Sequence, residues 1–305
     1  MILSISVESE EEMTLTYLLY NPLSGNETEE EMCLLESKYA QAVRIDLTRI
    51  GDYAAFFRGL EPEDDVILCG GDGTINRFVN ELRGVSYPNR VYLYAAGSGN
   101  DFARDLGHAR LDAPTYPINE AMASLPVVTV NGDERLFVNG IGYGIDGYCC
   151  EKGDELREKR LVKKRKKPIN YTMIAIRGLL YDYRPRKATV TVDGKDMSFK
   201  KVWLAPVMNG RYYGGGMMPT PSQDRFAEKK TLSIMVFHDV GILRTLMIFP
   251  SLFKGEHIKH TKVVTILEGE TISVAYDRPA PLQIDGETVK NVSKFTTSVC
   301  RPASV

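Results

Sequence analysis

Two glycine-rich turns hold most of the chemistry this sequence can support. Gly70-Gly71-Asp72-Gly73-Thr74 stands between a short apolar run, 66–69, and a stretch in which Ile75, Phe78, Val79 and Leu82 recur with helical period on one face. Glycines let a backbone approach a phosphate closely, the start of a helix offers unpaired N–H groups and a positive dipole end, and Thr74 adds a hydroxyl. Asp72 is the carboxylate that could hold a magnesium ion beside such a phosphate. The segment is neither a G-K-[ST] P-loop nor a G-x-G-x-x-G turn, and on these five residues alone a structural turn with a helix-capping aspartate remains open. Gly97-Ser98-Gly99-Asn100-Asp101 repeats the arrangement after 91–95 and before a short helix ending at Gly107. A third turn, Asn21-Pro22-Leu23-Ser24-Gly25, follows 17–20 and by itself marks an ordinary loop.

The elements that must position these turns fall into two kinds. In the first half, strands expected at 17–20, 42–47, 66–69 and 91–95 alternate with glycine turns and helical stretches, the pattern of a parallel α/β sheet. Turns at the carboxyl ends of such strands face one crevice, where ligands bind in open α/β sheets. From about Phe137 the pattern becomes β-rich, with strands expected at 189–192, 201–207, 232–237, 263–267, 271–275 and 282–284 and a hairpin signal at Asp193-Gly194. Helical stretches at 170–183 and 241–254 interrupt it. The expected architecture is an α/β nucleotide-binding domain, 1–134, and a β-sandwich domain, 135–305, whose last strands return toward the first and leave the active site in the cleft between them.

Bulk properties narrow the class. A chain of 305 residues with net charge −2 and 43% hydrophobic residues is globular and has no overall pull toward nucleic acid, so no nucleic-acid partner is expected. Five cysteines without C-x-x-C spacing argue against a disulfide framework and a zinc site and fit a reducing cytoplasm. The glutamate-rich segment 1–13 lacks the features of a signal peptide, and the greasiest stretch, 240–253, is too short and too interrupted to span a bilayer. One basic run, from Arg157 through Lys159, Arg160, Lys163, Lys164, Arg165 and Lys166 to Lys167, suits peripheral contact with an anionic membrane or is only a wetted loop. His257 and His260 have no further metal ligands nearby and read as structural, and Tyr212 and Tyr213 read as packing residues.

Taken in order, six segments give the chain its resemblance to the diacylglycerol-kinase catalytic family, which includes bacterial lipid kinases and sphingosine kinases. They are Tyr20-Asn21-Pro22-Leu23-Ser24-Gly25, Gly70 to Thr74, Gly97 to Arg104, Asn209-Gly210 with Gly214-Gly215-Gly216-Met217, Gly255 to His260, and Ile284-Asp285-Gly286-Glu287. The resemblance implies an ATP-dependent lipid kinase, with diacylglycerol converted to phosphatidic acid as the expected reaction. It further implies ATP contacts at Asn21, Ser24, Gly25, Thr48, Gly70, Gly71, Asp72, Gly73, Thr74, Ser98, Gly99 and Asn100, magnesium at Asp72 and Asp101, and Asp285 as the group that takes the proton from the lipid hydroxyl. Departures stand at Asn26, Arg77, Thr129 and Lys229, where the family usually carries a lysine, a glutamate, an aspartate and part of an acidic pair. They keep two other readings in play, a soluble kinase of the NAD-kinase kind and a non-catalytic nucleotide- or lipid-binding homologue. A cytoplasmic, membrane-peripheral protein is expected, and the sequence is compatible with a homodimer.

Overall fold

The computed structural model describes residues 14–22, 29–39, 41–107, 116–162 and 169–300. A five-stranded sheet forms first: β1 (Thr16–Tyr20), β2 (Ala42–Asp46), β3 (Asp65–Gly70), β4 (Arg90–Ala95) and β5 (Tyr116–Pro117), in the order β2-β1-β3-β4-β5. All pairs are parallel except β4 with the short β5. The continuous apolar reading of β3 follows from its burial on both faces, as parallel sheets covered by helices require. The helices of this part are α1 (Glu29–Glu36), α2 (Tyr53–Arg58), α3 (Asp72–Glu81), α4 (Asp101–Asp105) and α5 (Asn119–Met122). Ile75, Phe78 and Val79 on α3 and Phe57 on α2 pack against Leu68, Val91 and Leu93 of the sheet.

The second sheet contains β6 (Val127–Val130), β7 (Asp133–Leu136), β8 (Gly140–Tyr143), β9 (Arg186–Val192), β10 (Lys195–Val202), β11 (Val207–Met208), β12 (Leu232–Phe237), β13 (Val264–Gly269), β14 (Thr271–Ile284) and β15 (Glu287–Ser298). Its path runs β13-β12-β11-β8-β14-β15-β6-β7. β14 closes the sandwich by changing neighbours: residues 272–276 pair with β9, whereas 282–284 pair with β8. Register shifts against β15 mark the bend between Ala275 and Leu282, a stretch that contains Pro279 and Pro281. Against this sheet lie α6 (Ile145–Val162), α7 (Tyr171–Arg177) continued by a π-helical turn Gly178–Asp182, and α8 (Ile242–Ile248) continued by a 3₁₀ segment Phe249–Lys254. They cover a cluster that includes Leu179, Trp203, Met235, Phe237 and Leu252.

Three sequence expectations change here. The strand expected over 201–207 is two pieces, because the chain bulges between Phe199 and Val202, with Lys201 at φ +48°, before β11 starts at Val207. The two strands expected at 271–275 and 282–284 are one bent strand. The basic run begins on helix α6 as far as Val162, and Lys163, Lys164, Arg165, Lys166 and Lys167 lie outside the described residues.

Candidate active site

The loops after β3 and β4 meet backbone to backbone. A Cβ on Gly71 would lie 2.7 Å from the Cα of Gly97, and one on Gly97 2.4 Å from the Cα of Gly71, so close contact forbids a side chain at either. Asp72, in the first turn of α3, reaches across this contact to the start of α4. Its Oδ2 accepts from the Asp101 N–H at 3.0 Å and its Oδ1 from the Phe102 N–H at 2.8 Å. The carboxylate thereby answers two unpaired amides and the positive end of α4.

Asp101 is 4% exposed. The Gly215 N–H donates to its Oδ2 at 2.7 Å, while its Oδ1 is buried without a hydrogen bond and stands 4.0 Å from Arg104 Nη1. Gly214, Gly215 and Gly216 all have positive φ (61°, 85° and 107°), a run that turns backbone N–H groups toward an anion and that side chains would oppose. Burial, then the negative charge of Asp72, pushes the Asp101 carboxyl up to about 6, and the Gly215 amide and Arg104 pull the other way.

Asp285 opens the turn after β14 in a left-handed conformation, φ +46°. Its Oδ1 accepts from the N–H groups of Asn139 (2.8 Å) and Gly140 (3.0 Å), and its Oδ2 from the Val138 N–H (2.5 Å) and from Asn76 Nδ2 on α3 (2.7 Å). Burial still pushes its pKa above the usual carboxylate range against these four bonds. Asn139 joins the two halves: its backbone holds Asp285, and its Nδ2 donates to Asp72 Oδ1 at 2.8 Å. Arg225 steadies Asn139 from behind, with Nη2 3.2 Å from Asn139 Oδ1 and Nε 2.5 Å from Asp105 Oδ2, in a buried ion pair beneath the Phe102 ring. Arg211 adds a second bond to Asp105 at 2.9 Å.

Two cavities converge here. The first, about 460 Å³, is lined by Asn21, Gly71, Asp72, Gly73, Thr74, Gly97, Ser98 and Gly99 with Leu47, Tyr53, Arg77, Phe78 and Glu287 around them. The second, about 730 Å³, runs between α6, α7 and α8 and is walled by apolar groups such as Ile145, Leu179, Leu204, Met217, Leu246 and Phe249. Asp72, Asp101, Asn139 and Asp285 form its polar end, and Asp72, Ser98 and Gly99 are the residues the two cavities share.

Residues 16–128 match the diacylglycerol kinase catalytic domain, and residues 141–305 match the YegS C-terminal NAD kinase beta sandwich-like domain. The chain belongs to the diacylglycerol-kinase family of lipid kinases. A diacylglycerol kinase of Bacillus subtilis is 26% identical over 284 residues, which cover 88% of both chains. One from Mycobacterium tuberculosis is 27% identical over 208 residues, 66% of this chain and 64% of that one. A crystal structure of a diacylglycerol kinase from Bacillus anthracis superposes with a TM-score of 0.57 at 19% identity, over 94% of each chain.

Within this family member the sequence-selected residues divide. Asn21, Gly71, Asp72, Gly73, Thr74, Ser98 and Gly99 line the polar crevice. Gly70, Thr48 and Asn100 do not: Gly70 gives room to the Thr74 side chain, Thr48 is exposed with its hydroxyl on Asp46 at 2.7 Å, and Asn100 shapes its loop at φ +50°. Ser24, Gly25 and Asn26 lie outside the described residues. His257 is fully buried, its Nε2 2.8 Å from the Pro219 carbonyl, in keeping with a structural histidine. Tyr213, read as packing, also lines the apolar cavity, with its buried hydroxyl turned toward the buried Asp146 carboxyl. Sequence reasoning missed Asn76, Asn139 and Arg225, since a lone asparagine or arginine carries no pattern of its own.

Proposed function

We propose that the protein transfers the γ-phosphate of ATP to the hydroxyl of a lipid alcohol, with diacylglycerol as the first acceptor to test. The observation that carries this reading is the junction at Asp72 of a crevice bounded by glycine loops and an apolar cavity of chain-like proportions. Phosphates rest on the loop N–H groups of Gly71, Gly73 and Ser98 and at the N-terminus of α3. The lipid chain fills the apolar cavity and brings its hydroxyl to Asp285. Asp285 takes the hydroxyl proton as the oxygen bonds to the γ-phosphorus, and the bond to the ADP oxygen breaks with its electron pair. Of the four donors on Asp285, three are backbone N–H groups fixed by the fold; Asn76 is the one side chain, and it is the donor that yields to the incoming hydroxyl.

Asp72 and Asp101 suit a magnesium ion. Gly99 leaves a cradle between them, where a Cβ would stand 3.3 Å from Asp72 Oδ2 and 3.6 Å from Asp101 Oδ2, and Asp101 Oδ1 accepts no hydrogen bond. Among the described residues no cluster of three or more potential ligands occurs, which suits an ion that takes its remaining ligands from phosphate and water. Bound there, magnesium would neutralise charge on the transferring phosphoryl group.

Radiolabelled ATP offered with a panel of lipid alcohols, and separately with NAD, tests the reading. Labelled lipid product that depends on magnesium supports it; label on NAD, or ATP binding with no acceptor labelled, sinks it.

A further inference from the structure

Among the described residues ten large hydrophobic side chains are exposed, and eight of them sit on two adjoining segments. Tyr171, Met173, Ile176 and Tyr181 stand on α7 and its π-helical extension, while Leu243, Met247, Phe253 and Ile258 stand on α8 and the 3₁₀ turns after it. Leu243 is 78% exposed, Met247 73% and Tyr181 70%. Each helix buries its other side, through Ala175 and Leu179 in one case and Thr245 and Ile248 in the other. A face this greasy on a soluble surface has a partner.

The apolar cavity is continuous with this face. Tyr171, Ile176 and Phe253 belong to both, exposed at the surface and lining the cavity, so its mouth opens between α7 and α8. Arg244 and Lys254 stand exposed beside the apolar groups with no ion pair among the described residues, and Tyr171 and Tyr181 supply the amphipathic rings suited to a headgroup boundary. Apolar groups at the centre, tyrosines and cations at the rim, and a lipid-sized cavity behind them fit one occupant.

We infer that α7, α8 and their extensions form a bilayer-docking surface that inserts apolar side chains into an anionic leaflet and sets the cavity mouth against it, so that the lipid acceptor enters from the plane of the membrane. The inference rests on the lipid-kinase reading for its substrate, but not for the docking itself. It places the contact in apolar insertion rather than in the basic run alone.

The test uses the full chain and vesicles of phosphatidylcholine with phosphatidylglycerol. Wild type sediments with them, and a large part of that binding survives 0.5 M salt, whereas electrostatic attachment would be screened. The double variant Leu243→Glu, Met247→Glu, which touches neither cavity, lowers the vesicle partition coefficient at least tenfold at both salt concentrations. Its turnover of a short-chain diacylglycerol dispersed below its aggregation limit stays within about twofold of wild type, which also reports that it is folded. Equal vesicle binding by variant and wild type overturns the inference, as does binding that salt abolishes completely. A wild-type dimer that the variant converts to monomer, with vesicle binding unchanged, overturns it in favour of a second copy on this face. Vesicle binding that responds to the variant while no lipid is ever phosphorylated leaves the docking intact and removes the kinase reading.

Discussion

Asp285 is held by four hydrogen bonds and raised in pKa by burial at once, and the two facts constrain how its role can be measured. Asp285→Asn cannot accept the hydroxyl proton, so kcat should fall on the order of a hundredfold or more with the KM for ATP little changed. The amide must also turn its NH₂ toward one of two pairs of donors, and leaving buried donors unmet costs about 1–3 kcal/mol. Thermal unfolding followed alongside the kinetics should therefore show a lowered Tm, and a variant with normal kcat would remove Asp285 from the chemistry. Asp146 offers the opposite test. Burial raises its carboxyl to about 6, and the titratable groups facing it, Cys149, Cys150, Tyr183, Tyr213 and Tyr276, are themselves raised by burial and neutral near pH 7. A folded-state pKa of about 6 against an unfolded value of 3.8 means that stability falls as pH rises from about 4 to about 6, with the cost fully present above pH 6 and fully relieved only below about 3.8. Asp146→Asn should thus be more stable than wild type by about 3 kcal/mol at pH 7.5, with the difference shrinking below about 1 kcal/mol by pH 4. Denaturant titrations at the two pH values read it directly.

At the scale of elements, the contact between the β3 and β4 loops is the feature least open to change. Gly97→Ala would put a methyl group 2.4 Å from the Gly71 Cα and 2.6 Å from Asn100 Oδ1, so both loops must part. Loss of ATP binding by equilibrium dialysis, with the second sheet still folded by circular dichroism, is the expected result. The ion pair of Arg225 with Asp105 ties α4 to the loop that precedes β12, and both side chains are 3% exposed. Arg225→Ala leaves the buried Asp105 carboxylate to Arg211 alone, with Oδ2 unmet, and should cost about 1–3 kcal/mol in denaturant unfolding; it should also lower kcat, because Asn139 loses its support. How far these elements were readable follows from the same physics. The glycine loops and α3 were legible because a buried strand, a turn and an amphipathic helix each have a period. Helix α6 was not, because its sequence after Tyr148 is mostly polar and the eye takes its basic end for a loop. β14 was read as two strands because two prolines interrupt it, although its bend is what tolerates them. The site was legible where glycine and aspartate recur in sequence. It was illegible at Asn76 and Asn139, whose roles exist only after α3 and β14 have been brought together.

At the scale of the whole molecule, the two halves meet at a cluster of carboxylates that neither contains alone. Asp72 and Asp101 come with the first sheet, Asp285 with the second, and Asn139 binds across the seam. The crevice and the apolar cavity overlap only at Asp72, Ser98 and Gly99. Occupancy of one therefore leaves the rest of the other untouched, which has a consequence for the order of events. Neither ligand has to arrive first, and no phosphate needs to be parked on the protein between them. Initial velocities measured over a grid of ATP and acceptor concentrations should give intersecting double-reciprocal lines, with each dead-end analogue competitive only against the ligand it mimics. Parallel lines, the mark of a phosphorylated enzyme handing its group on after ADP has left, would require a nucleophile at the junction, where the geometry offers only carboxylates bound to amides and an exposed serine.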